Sequence, residues 1–118
     1  MLRAGACDRV YLACGPTDLR KSIDGLAILV SEAFDLNPFS SCLFVFCNRR
    51  RDKVKILHWE GAGFWLYYYR LEKGRFRWPM AESDRTVTVS RRQLQWLLDG
   101  LGIEQERAHA PVPERKII

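Results

Sequence analysis

The sequence has no apolar run that approaches 18 residues, the length that a membrane-spanning helix needs. Its N-terminal residues, Met-Leu-Arg-Ala-Gly-Ala-Cys-Asp, also lack the apolar core of a secretory signal. Internal repeats are absent as well, which argues against a repeat protein. We therefore expect a soluble, cytoplasmic protein without a membrane partner.

Histidine and cysteine are scarce, and their spacing matches neither a common metal site nor a catalytic triad. The four cysteines are Cys7, Cys14, Cys42 and Cys47. Their spacings, C-x6-C and C-x4-C, differ from the C-x2-C pairs of structural zinc sites. We interpret them as small buried thiols, with a metal site or a disulfide as less favoured alternatives. Because His58 and His109 lack an evident Ser, Cys or Asp partner, we expect no catalytic residues, no metal and no other cofactor.

The acidic residues give little support for phosphodiester cleavage. A metal-dependent nuclease needs carboxylates that converge on a metal ion. Asp18 fits the first turn of a helix and Asp24 the solvated face of the same helix, while Asp52 and Glu60 have no supporting spacing. A nuclease is therefore the least favoured hypothesis.

Basic charge is concentrated in one part of the chain. The formal net charge is +5 and the sequence pI is about 9.3. Residues 49–77 contain nine Lys or Arg and three acids, a net charge of +6, whereas the remainder has ten bases and eleven acids, a net charge of −1. This asymmetry predicts that the 49–77 region meets a polyanion, with nucleic acid as the favoured partner.

The first third of the sequence predicts a strand followed by a helix. Residues 9–14 are mostly apolar, aromatic or β-branched, and a Gly-Pro turn ends them. Thr17 is a candidate N-cap for a helix that runs to Asn37. Apolar residues recur along it at helical spacing: Leu19, Ile23, Leu26, Val30 and Phe34.

The middle of the sequence changes to the period of strands. Residues 42–47 are apolar on both faces, which predicts a central strand, and residues 54–59 return as its hairpin partner. Residues 64–71 fit either a strand or a helical face, and we favour the strand. Gly74 suits a tight turn, and the alternating residues 75–78 predict a further strand that ends at Pro79.

The C-terminal third predicts a short strand, a helix and a tail. Residues 86–89 form the strand, and Ser90 with Gln93 makes a capping box at the start of the helix. We expect the apolar stripe of this helix to pack on the sheet, with partner binding as the alternative. We therefore predict an α+β fold, in which residues 1–102 form a single small domain with a mainly antiparallel β-sheet packed with two helices. Residues 103–118 are charged and contain two prolines, which predicts a flexible tail.

Four ordered blocks of the sequence carry a family resemblance. They are Arg9-Val-Tyr-Leu-Ala-Cys-Gly-Pro-Thr-Asp-Leu-Arg-Lys-Ser-Ile-Asp-Gly-Leu-Ala, Pro38-Phe39 with Leu43-Phe44-Val45-Phe46, Lys55-Ile-Leu-His-Trp-Glu-Gly-Ala-Gly-Phe and Arg70-Leu-Glu-Lys-Gly-Arg-Phe-Arg-Trp-Pro79. Over residues 8–101 the chain resembles the small TnpB accessory proteins, which the second open reading frame of IS66-type bacterial insertion sequences encodes. It does not resemble the much larger RNA-guided nuclease that shares this name. One departure is Glu60, where many members carry Asp before the Gly-x-Gly turn.

The resemblance implies a role in DNA transposition rather than an enzyme activity. It implies that a mobile element encodes the protein beside a longer DDE-type transposase and a small helix-turn-helix protein, which are its implied partners. It carries over no catalytic motif.

The candidate nucleic-acid-binding residues are basic side chains in three groups. The first group follows the central strand, where a hairpin edge can reach across a phosphate backbone. The second surrounds the Lys-Gly turn, and the third lies near the start of the first helix, where exposed amides also attract anions. The set is Arg49, Arg50, Arg51, Lys53, Lys55, Arg70, Lys73, Arg75, Arg77, Arg20 and Lys21.

Aromatic residues interleave with these bases and have two interpretations. They can stack on exposed nucleobases, as in sheet-based binders of single strands. Most are expected in the core instead, because so many aromatic side chains cannot all face water without aggregation. The residues are His58, Trp59, Phe64, Trp65, Tyr67, Tyr68, Tyr69, Phe76 and Trp78.

The leading hypothesis is a non-catalytic accessory protein for transposition, which binds DNA through this basic surface and assists the transposase. The alternative is a protein-interaction subunit of the transposition complex without DNA affinity of its own. The sequence leaves open which DNA is recognised and whether the protein forms a homodimer.

Overall fold

Five strands and two helices make up the part of the chain that the structure, a computed structural model, describes: residues 7–80 and 84–104. In chain order they are β1 (Val10–Ala13), α1 (Ile23–Ile28), β2 (Leu43–Cys47), β3 (Lys53–Glu60), β4 (Gly63–Arg70), β5 (Thr86–Val89) and α2 (Arg91–Leu98). A π-type turn over Leu29–Ala33 continues α1. None of the helices in this part of the chain is long and apolar enough to cross a membrane.

The strands form one sheet in the order β4-β3-β2-β1-β5. The β1–β2 pair is parallel, and the pairs β1–β5, β2–β3 and β3–β4 are antiparallel. A parallel pair needs a long crossover connection, and α1 lies in that connection here. The predicted α+β fold with a mainly antiparallel sheet is confirmed.

Strand β2 is the centre of two cores, one on each face of the sheet. All five of its residues are buried. Leu43, Val45 and Cys47 belong to one cluster, whereas Phe44 and Phe46 belong to the other. Because both faces exclude water, apolar residues on both sides of this strand identify it as central, as the sequence predicted.

Helix α1 covers one face of the sheet. Leu26 and Val30 are fully buried in one cluster with the phenylalanines of β2 and with Leu57 of β3. The ring of Phe34 stacks on that of Phe46, with the two centroids 6.4 Å apart. The helical spacing of the apolar residues therefore marks the face that packs on the sheet.

Helix α2 and the segment between β4 and β5 cover the opposite face. Leu97 of α2 is fully buried in one cluster with Phe76 and Trp78 of that segment. The predicted capping box is present: the backbone N–H of Gln93 donates to Ser90 Oγ at 3.1 Å, and the backbone N–H of Ser90 donates to Gln93 Oε1 at 2.9 Å. The apolar stripe of α2 therefore packs on its own sheet, which was the favoured interpretation.

The ambiguous residues 64–71 are a strand over almost their whole length. β4 covers Gly63–Arg70 and pairs with all of β3 in antiparallel register, from Lys53 with Arg70 to Glu60 with Gly63. The helical alternative for this segment is wrong.

The first helix begins later than predicted. We expected Thr17 to be its N-cap, but α1 begins at Ile23, after Ser22. The backbone N–H of Thr17 instead donates to the carbonyl of Cys47 at 2.8 Å, which ties this loop to the end of β2. The prediction was wrong because the Asp18 carboxylate accepts from the backbone N–H of Arg20, two residues on, and such a local turn competes with the start of a helix.

Residues 75–78 do not form the predicted strand. Phe76 and Trp78 are buried, whereas Arg75 and Arg77 are exposed, so the alternation itself is present. The segment packs on the face of the sheet rather than pairing with β4, and Trp78 Nε1–H donates to the carbonyl of Ala13 at 2.8 Å. The strand prediction was wrong because alternation shows which side chains are buried, but not whether the segment pairs with another strand.

Cys7 and Cys42 form a disulfide, which the sequence interpretation did not favour. The two residues precede β1 and β2, and the starts of these strands are neighbours because the strands are parallel. Their separation of 35 residues gave no indication of this contact. Cys47 is a buried thiol as expected, and Cys14 is half-buried.

The end of the predicted domain is only partly within the described chain. Ile103 packs against the core beside α2, and its carbonyl accepts a hydrogen bond from Gln93 Nε2 at 3.1 Å. Residues 105–118, which make up most of the predicted tail, lie outside the described residues. The domain boundary therefore stays a prediction.

Candidate nucleic-acid interface

Strand direction brings the candidate bases to one end of the sheet. β1 and β2 run parallel, so the loops that follow them, residues 14–22 and 48–52, leave from the same end. β3 begins at this end and β4 stops there, since Lys53 pairs with Arg70. We refer to it as the basic end, defined by Arg20, Lys21, Arg49, Arg50, Arg51, Lys53, Lys55, Arg70, Lys73, Arg75 and Arg77.

Asn48 holds the loop between β2 and β3. Its Oδ1 accepts hydrogen bonds from the backbone N–H groups of Asp52 and Lys53, both at 3.0 Å, and its Nδ2 donates to Asp52 Oδ1 at 2.8 Å. The hydrogen bond from the Asn48 side chain lowers the pKa of Asp52 below its ordinary value. The sequence analysis did not single out Asn48, although an Asn directly after an apolar run is a common turn signal.

The loop that Asn48 organises presents the triple arginine. The backbone N–H of Arg51 donates to the carbonyl of Asn48 at 3.1 Å, and Arg51 has a positive φ of 62°. Arg49 and Arg50 are exposed, whereas Arg51 is half-buried. The turn therefore exposes two of its three arginines to solvent.

Two backbone hydrogen bonds join the segment after β4 to this loop. The N–H of Leu71 donates to the carbonyl of Asp52 at 2.8 Å, and the N–H of Phe76 donates to the carbonyl of Arg51 at 2.7 Å. Between these anchors, Gly74 has a φ of +84°, a conformation that suits glycine. The exposed bases of the segment are Lys73, Arg75 and Arg77. The second basic cluster therefore lies beside the first.

The loop after β1 carries Arg20 and Lys21 just before α1. The Asp18 carboxylate accepts from the backbone N–H of Arg20 at 3.0 Å and pairs with its guanidinium, with Nη2 and Oδ2 2.8 Å apart. The side-chain hydrogen bond from Arg20 holds the pKa of Asp18 far below its ordinary range. Asp18 therefore orders this loop instead of serving the first turn of a helix.

A cleft of about 450 Å³ lies between the loops that follow β1 and β2. Its walls include the guanidinium-bearing residues Arg20, Arg49 and Arg50, together with Asn48 and Asp18. Three cationic side chains against one carboxylate leave an excess of positive charge, which attracts phosphate groups.

Lys55 has a structural role within the basic end. Its Nζ donates to the carbonyl of Leu19 at 2.7 Å and to the carbonyl of Lys21 at 3.0 Å. The ammonium group therefore fastens the loop before α1 to β3. This contact uses donors that would otherwise be available to a phosphate.

Two further candidate bases are paired with neighbouring acids. Arg70 and Glu72 form an ion pair with Nη2 and Oε2 2.8 Å apart, and this hydrogen bonding raises the pKa of Arg70. Lys53 Nζ lies 3.4 Å from Asp52 Oδ1. Other exposed candidates make no side-chain ion pair or hydrogen bond with another described residue. They are Lys21, Arg49, Arg50, Lys73, Arg75 and Arg77.

Comparison with known proteins places the chain in a family. The family model described as IS66 Orf2 like protein matches residues 8–108. The chain belongs to this family. It is 41% identical over 101 residues to the uncharacterized protein y4hO of Sinorhizobium fredii, covering 86% of this chain and 87% of the relative. It is 32% identical over 93 residues to the uncharacterized protein y4jC of the same organism, covering 79% of each chain. No solved structure matches.

Membership of the IS66 Orf2-like family confirms the resemblance drawn from the four sequence blocks. The family suggests an accessory role in the transposition of insertion sequences, among transposase-related machinery. Both relatives are themselves uncharacterized, so the family suggests the process, transposition, but names no binding residues.

The aromatic candidates of this IS66 Orf2-like protein divide into buried and exposed groups. The fully or almost fully buried members are His58, Phe76 and Trp78. The half-buried members are Trp59, Phe64 and Tyr67. Three residues of β4 are exposed: Trp65 by 49%, Tyr68 by 55% and Tyr69 by 45%. The core accounts for part of the set, whereas β4 presents three large rings to solvent.

The acidic candidates do not converge on a metal site. Asp18 and Asp52 are hydrogen-bonded within the basic end, whereas Glu60 lies at the opposite end of the sheet, where it accepts from Trp65 Nε1–H at 2.6 Å. Within residues 7–80 and 84–104, no group of three His, Cys, Asp or Glu side chains is placed to hold a metal ion. Both ring nitrogens of the buried His58 lack a hydrogen-bond partner among these residues, so the geometry adds no support for a triad.

Proposed function

We propose that this protein is a non-catalytic accessory factor in DNA transposition, which binds DNA through its basic end and assists the transposase. One observation carries the proposal. Two basic clusters that are distant in sequence, one in the loop after β2 and one in the segment after β4, are held side by side by the Leu71–Asp52 and Phe76–Arg51 hydrogen bonds. Family membership supports the process, and the adjacent exposed bases support the DNA contact.

The exposed bases of the basic end suit the DNA backbone. Each phosphate that a Lys or Arg neutralises releases counterions. The logarithm of the binding constant therefore falls linearly with the logarithm of the salt concentration, with a slope of about −0.9 for each contact. With about five contacts the slope is about −4.5, and affinity falls about 500-fold between roughly 50 and 200 mM salt. A binding site made of these side chains is therefore recognised by its salt dependence.

A matched pair of charge-reversal variants tests the site. The first is Arg49→Glu/Arg50→Glu at the basic end. The control is Arg9→Glu/Arg92→Glu, which changes the net charge by the same amount at two exposed positions, before β1 and in the first turn of α2, at the opposite end of the sheet. Fluorescence anisotropy with labelled element-end DNA, at several salt concentrations, compares the two with the original protein.

We expect the basic-end variant to lose binding and the control to keep most of the affinity. Loss of about two contacts makes the slope shallower by about 1.8. Circular dichroism checks that both variants fold. Equal loss in the two variants would show an effect of net charge rather than a site, and no binding by the original protein at low salt would overturn the proposal.

A protein-interaction role is the second candidate, and one surface favours it. A groove of about 610 Å³ runs along the outer side of α1 and the chain after it. Ile28 and Phe39 line it and are 56% and 55% exposed, and Glu32 and Asp35 add negative charge. Capture of the transposase that depends on Ile28 and Phe39, and that is unaffected by Arg49→Glu/Arg50→Glu, would favour this role.

The non-catalytic part of the proposal has its own test. Incubation of the protein with labelled DNA in the presence of Mg²⁺ or Mn²⁺ is expected to leave the DNA intact. Cleavage that is lost in Asp52→Asn would restore the nuclease hypothesis, because a metal-dependent nuclease needs carboxylate ligands.

A further inference from the structure

Strand β4 is an edge of the sheet and carries a row of aromatic side chains on one face. Successive residues of a strand alternate between faces, so Trp65, Tyr67 and Tyr69 point to the same side. Their cross-strand partners on β3 are His58, Ile56 and Val54. We refer to Trp65, Tyr67 and Tyr69 as the aromatic row.

The aromatic row is held in place before any ligand arrives. The rings of Trp65 and Tyr67 stack, with centroids 5.9 Å apart and an angle of 16° between their planes. The indole N–H of Trp65 donates to Glu60 Oε1 at 2.6 Å, and the ring of Tyr69 lies 6.1 Å from that of the buried Phe76. Rings that are already ordered lose little conformational entropy when a ligand binds.

The outer members of the row remain available to a ligand. Trp65 is 49% exposed and Tyr69 is 45% exposed, whereas Tyr67 between them is half-buried. A single-strand binding surface combines rings that accept base stacking with a positively charged path for the phosphates. The row provides the first of these two parts.

The second part is continuous with the row. Tyr69 precedes Arg70, the last residue of β4, and the exposed Lys73 and Arg75 follow in the segment that is anchored to the loop after β2. The row therefore begins at the basic end and runs away from it along β4. Alternate residues of a strand are about 6.5 Å apart, a step comparable to one extended nucleotide.

From this arrangement we propose that the aromatic row binds single-stranded DNA. Bases stack on Tyr69 and Trp65, while the exposed bases of the basic end contact the phosphates. This inference rests on the proposed function and names the form of DNA that the site prefers. A duplex keeps its bases paired and stacked on each other, so its phosphates can reach the basic end but its base faces cannot reach the row.

Tyr68 supplies a matched control for the row. It lies between Tyr67 and Tyr69, has the same side chain and is 55% exposed, but it points to the other face of the sheet. The variants are Trp65→Leu and Tyr69→Leu in the row and Tyr68→Leu opposite it. Leucine keeps apolar packing at each position and removes the aromatic ring.

Anisotropy titrations use two labelled probes, an oligothymidine of about 20 nucleotides and a duplex of similar length. The oligothymidine is longer than the roughly 4–16 nucleotides that one OB-fold domain of a single-strand binder covers. We expect Trp65→Leu and Tyr69→Leu each to weaken oligothymidine binding about tenfold, within the roughly 5- to 150-fold that one stacked base contributes. The row variants should bind the duplex within about twofold of the original affinity, because a duplex places no base on the row. Tyr68→Leu should bind both probes within about twofold of the original affinity, because Tyr68 stacks on no base in this proposal.

Tryptophan fluorescence gives a second readout that does not depend on a disruptive substitution. A base stacked on Trp65 should quench the emission of its indole when oligothymidine binds. Trp65→Phe keeps an aromatic ring, so we expect near-original affinity and loss of this quenching. A quench that persists in Trp65→Phe would overturn the assignment of Trp65.

The outcomes separate this inference from the proposed function. If the row variants bind both probes as well as the original while Arg49→Glu/Arg50→Glu does not, DNA binding stands and the aromatic row is overturned. If the original binds neither probe at low salt, both proposals fail. If light scattering shows a dimer that Trp65→Leu converts to a monomer, the edge strand pairs with a second copy, and the inference is overturned.

Discussion

Replacing Lys55 tests whether this base serves the fold or the DNA contact. Sequence reasoning grouped it with the phosphate-binding residues, but its Nζ donates to the carbonyls of Leu19 and Lys21 at 2.7 and 3.0 Å. Lys55→Met keeps the aliphatic part of the side chain and removes both hydrogen bonds. The carbonyl groups then lose a charged donor, and the loop before α1 loses its attachment to β3.

The expected size of the effect follows from those two bonds. A hydrogen bond to a charged group contributes about 1.5–3 kcal/mol, so the two bonds contribute at most about 3–6 kcal/mol, and solvent screening at the half-buried Lys55 lowers the expected total to about 2 kcal/mol. With a urea m-value of about 2 kcal/mol/M, the unfolding midpoint should fall by about 1 M. Urea titration followed by tryptophan fluorescence measures this, with the disulfide in the same redox state throughout.

Lys53→Met is the matched control, since Lys53 lies two residues earlier on the same face of β3. Within the described part of the chain, the Lys53 side chain makes one polar contact, the 3.4 Å ion pair with Asp52, and a partly exposed pair contributes about 0–1 kcal/mol. We expect its midpoint to shift by less than about 0.5 M. A Lys55→Met shift no larger than this would refute the structural role.

Three further predictions concern the turn, the buried thiol and the disulfide. Gly74→Ala should lower the free energy of unfolding in urea by about 1 kcal/mol, because Gly74 has a φ of +84°. Gly63→Ala should leave it unchanged, because Gly63 has no positive φ and an added Cβ would meet nothing within 4 Å. Burial raises the pKa of Cys47 to about 12, above the ordinary value of 9.0, so stability should be full below about pH 9 and should fall above it, because the thiol then ionises in the unfolded chain but not in the folded one; Cys47→Ala removes this dependence. Reduction of the Cys7–Cys42 bond, which closes a loop of 35 residues, should lower the free energy of unfolding by up to about 4 kcal/mol, measured by urea titration with and without reductant.

Features that depend on neighbouring residues could be predicted from the sequence. Apolar residues on both faces of β2 predicted a central strand, and Ser90 with Gln93 predicted the start of α2, because the strand pattern and helix capping are local physical effects. Burial within the 75–78 segment was predictable for the same reason. Its failure to pair with β4 was not, because pairing depends on the rest of the sheet.

Features that depend on distant residues could not be predicted. Nothing in the sequence showed that β1 and β2 are parallel, and this one relation brings Cys7 to Cys42 and places the loop that contains Arg20 beside the loop that contains Arg49. Charge counting identified the basic region but not the partners of each base. Lys55 was therefore grouped with residues that have open donors, although backbone carbonyls use its donors.

The position of β1 between β2 and β5 also concerns the timing of folding on the ribosome. β2, β3 and β4 follow one another in the sequence and pair as neighbours, so they can assemble early from local contacts. β1 is made first, yet its second edge is covered only when Thr86–Val89 has been synthesised. Until then the growing chain carries an uncovered strand edge, the kind of surface through which incomplete chains associate. Completion of the sheet therefore waits for the synthesis of β5.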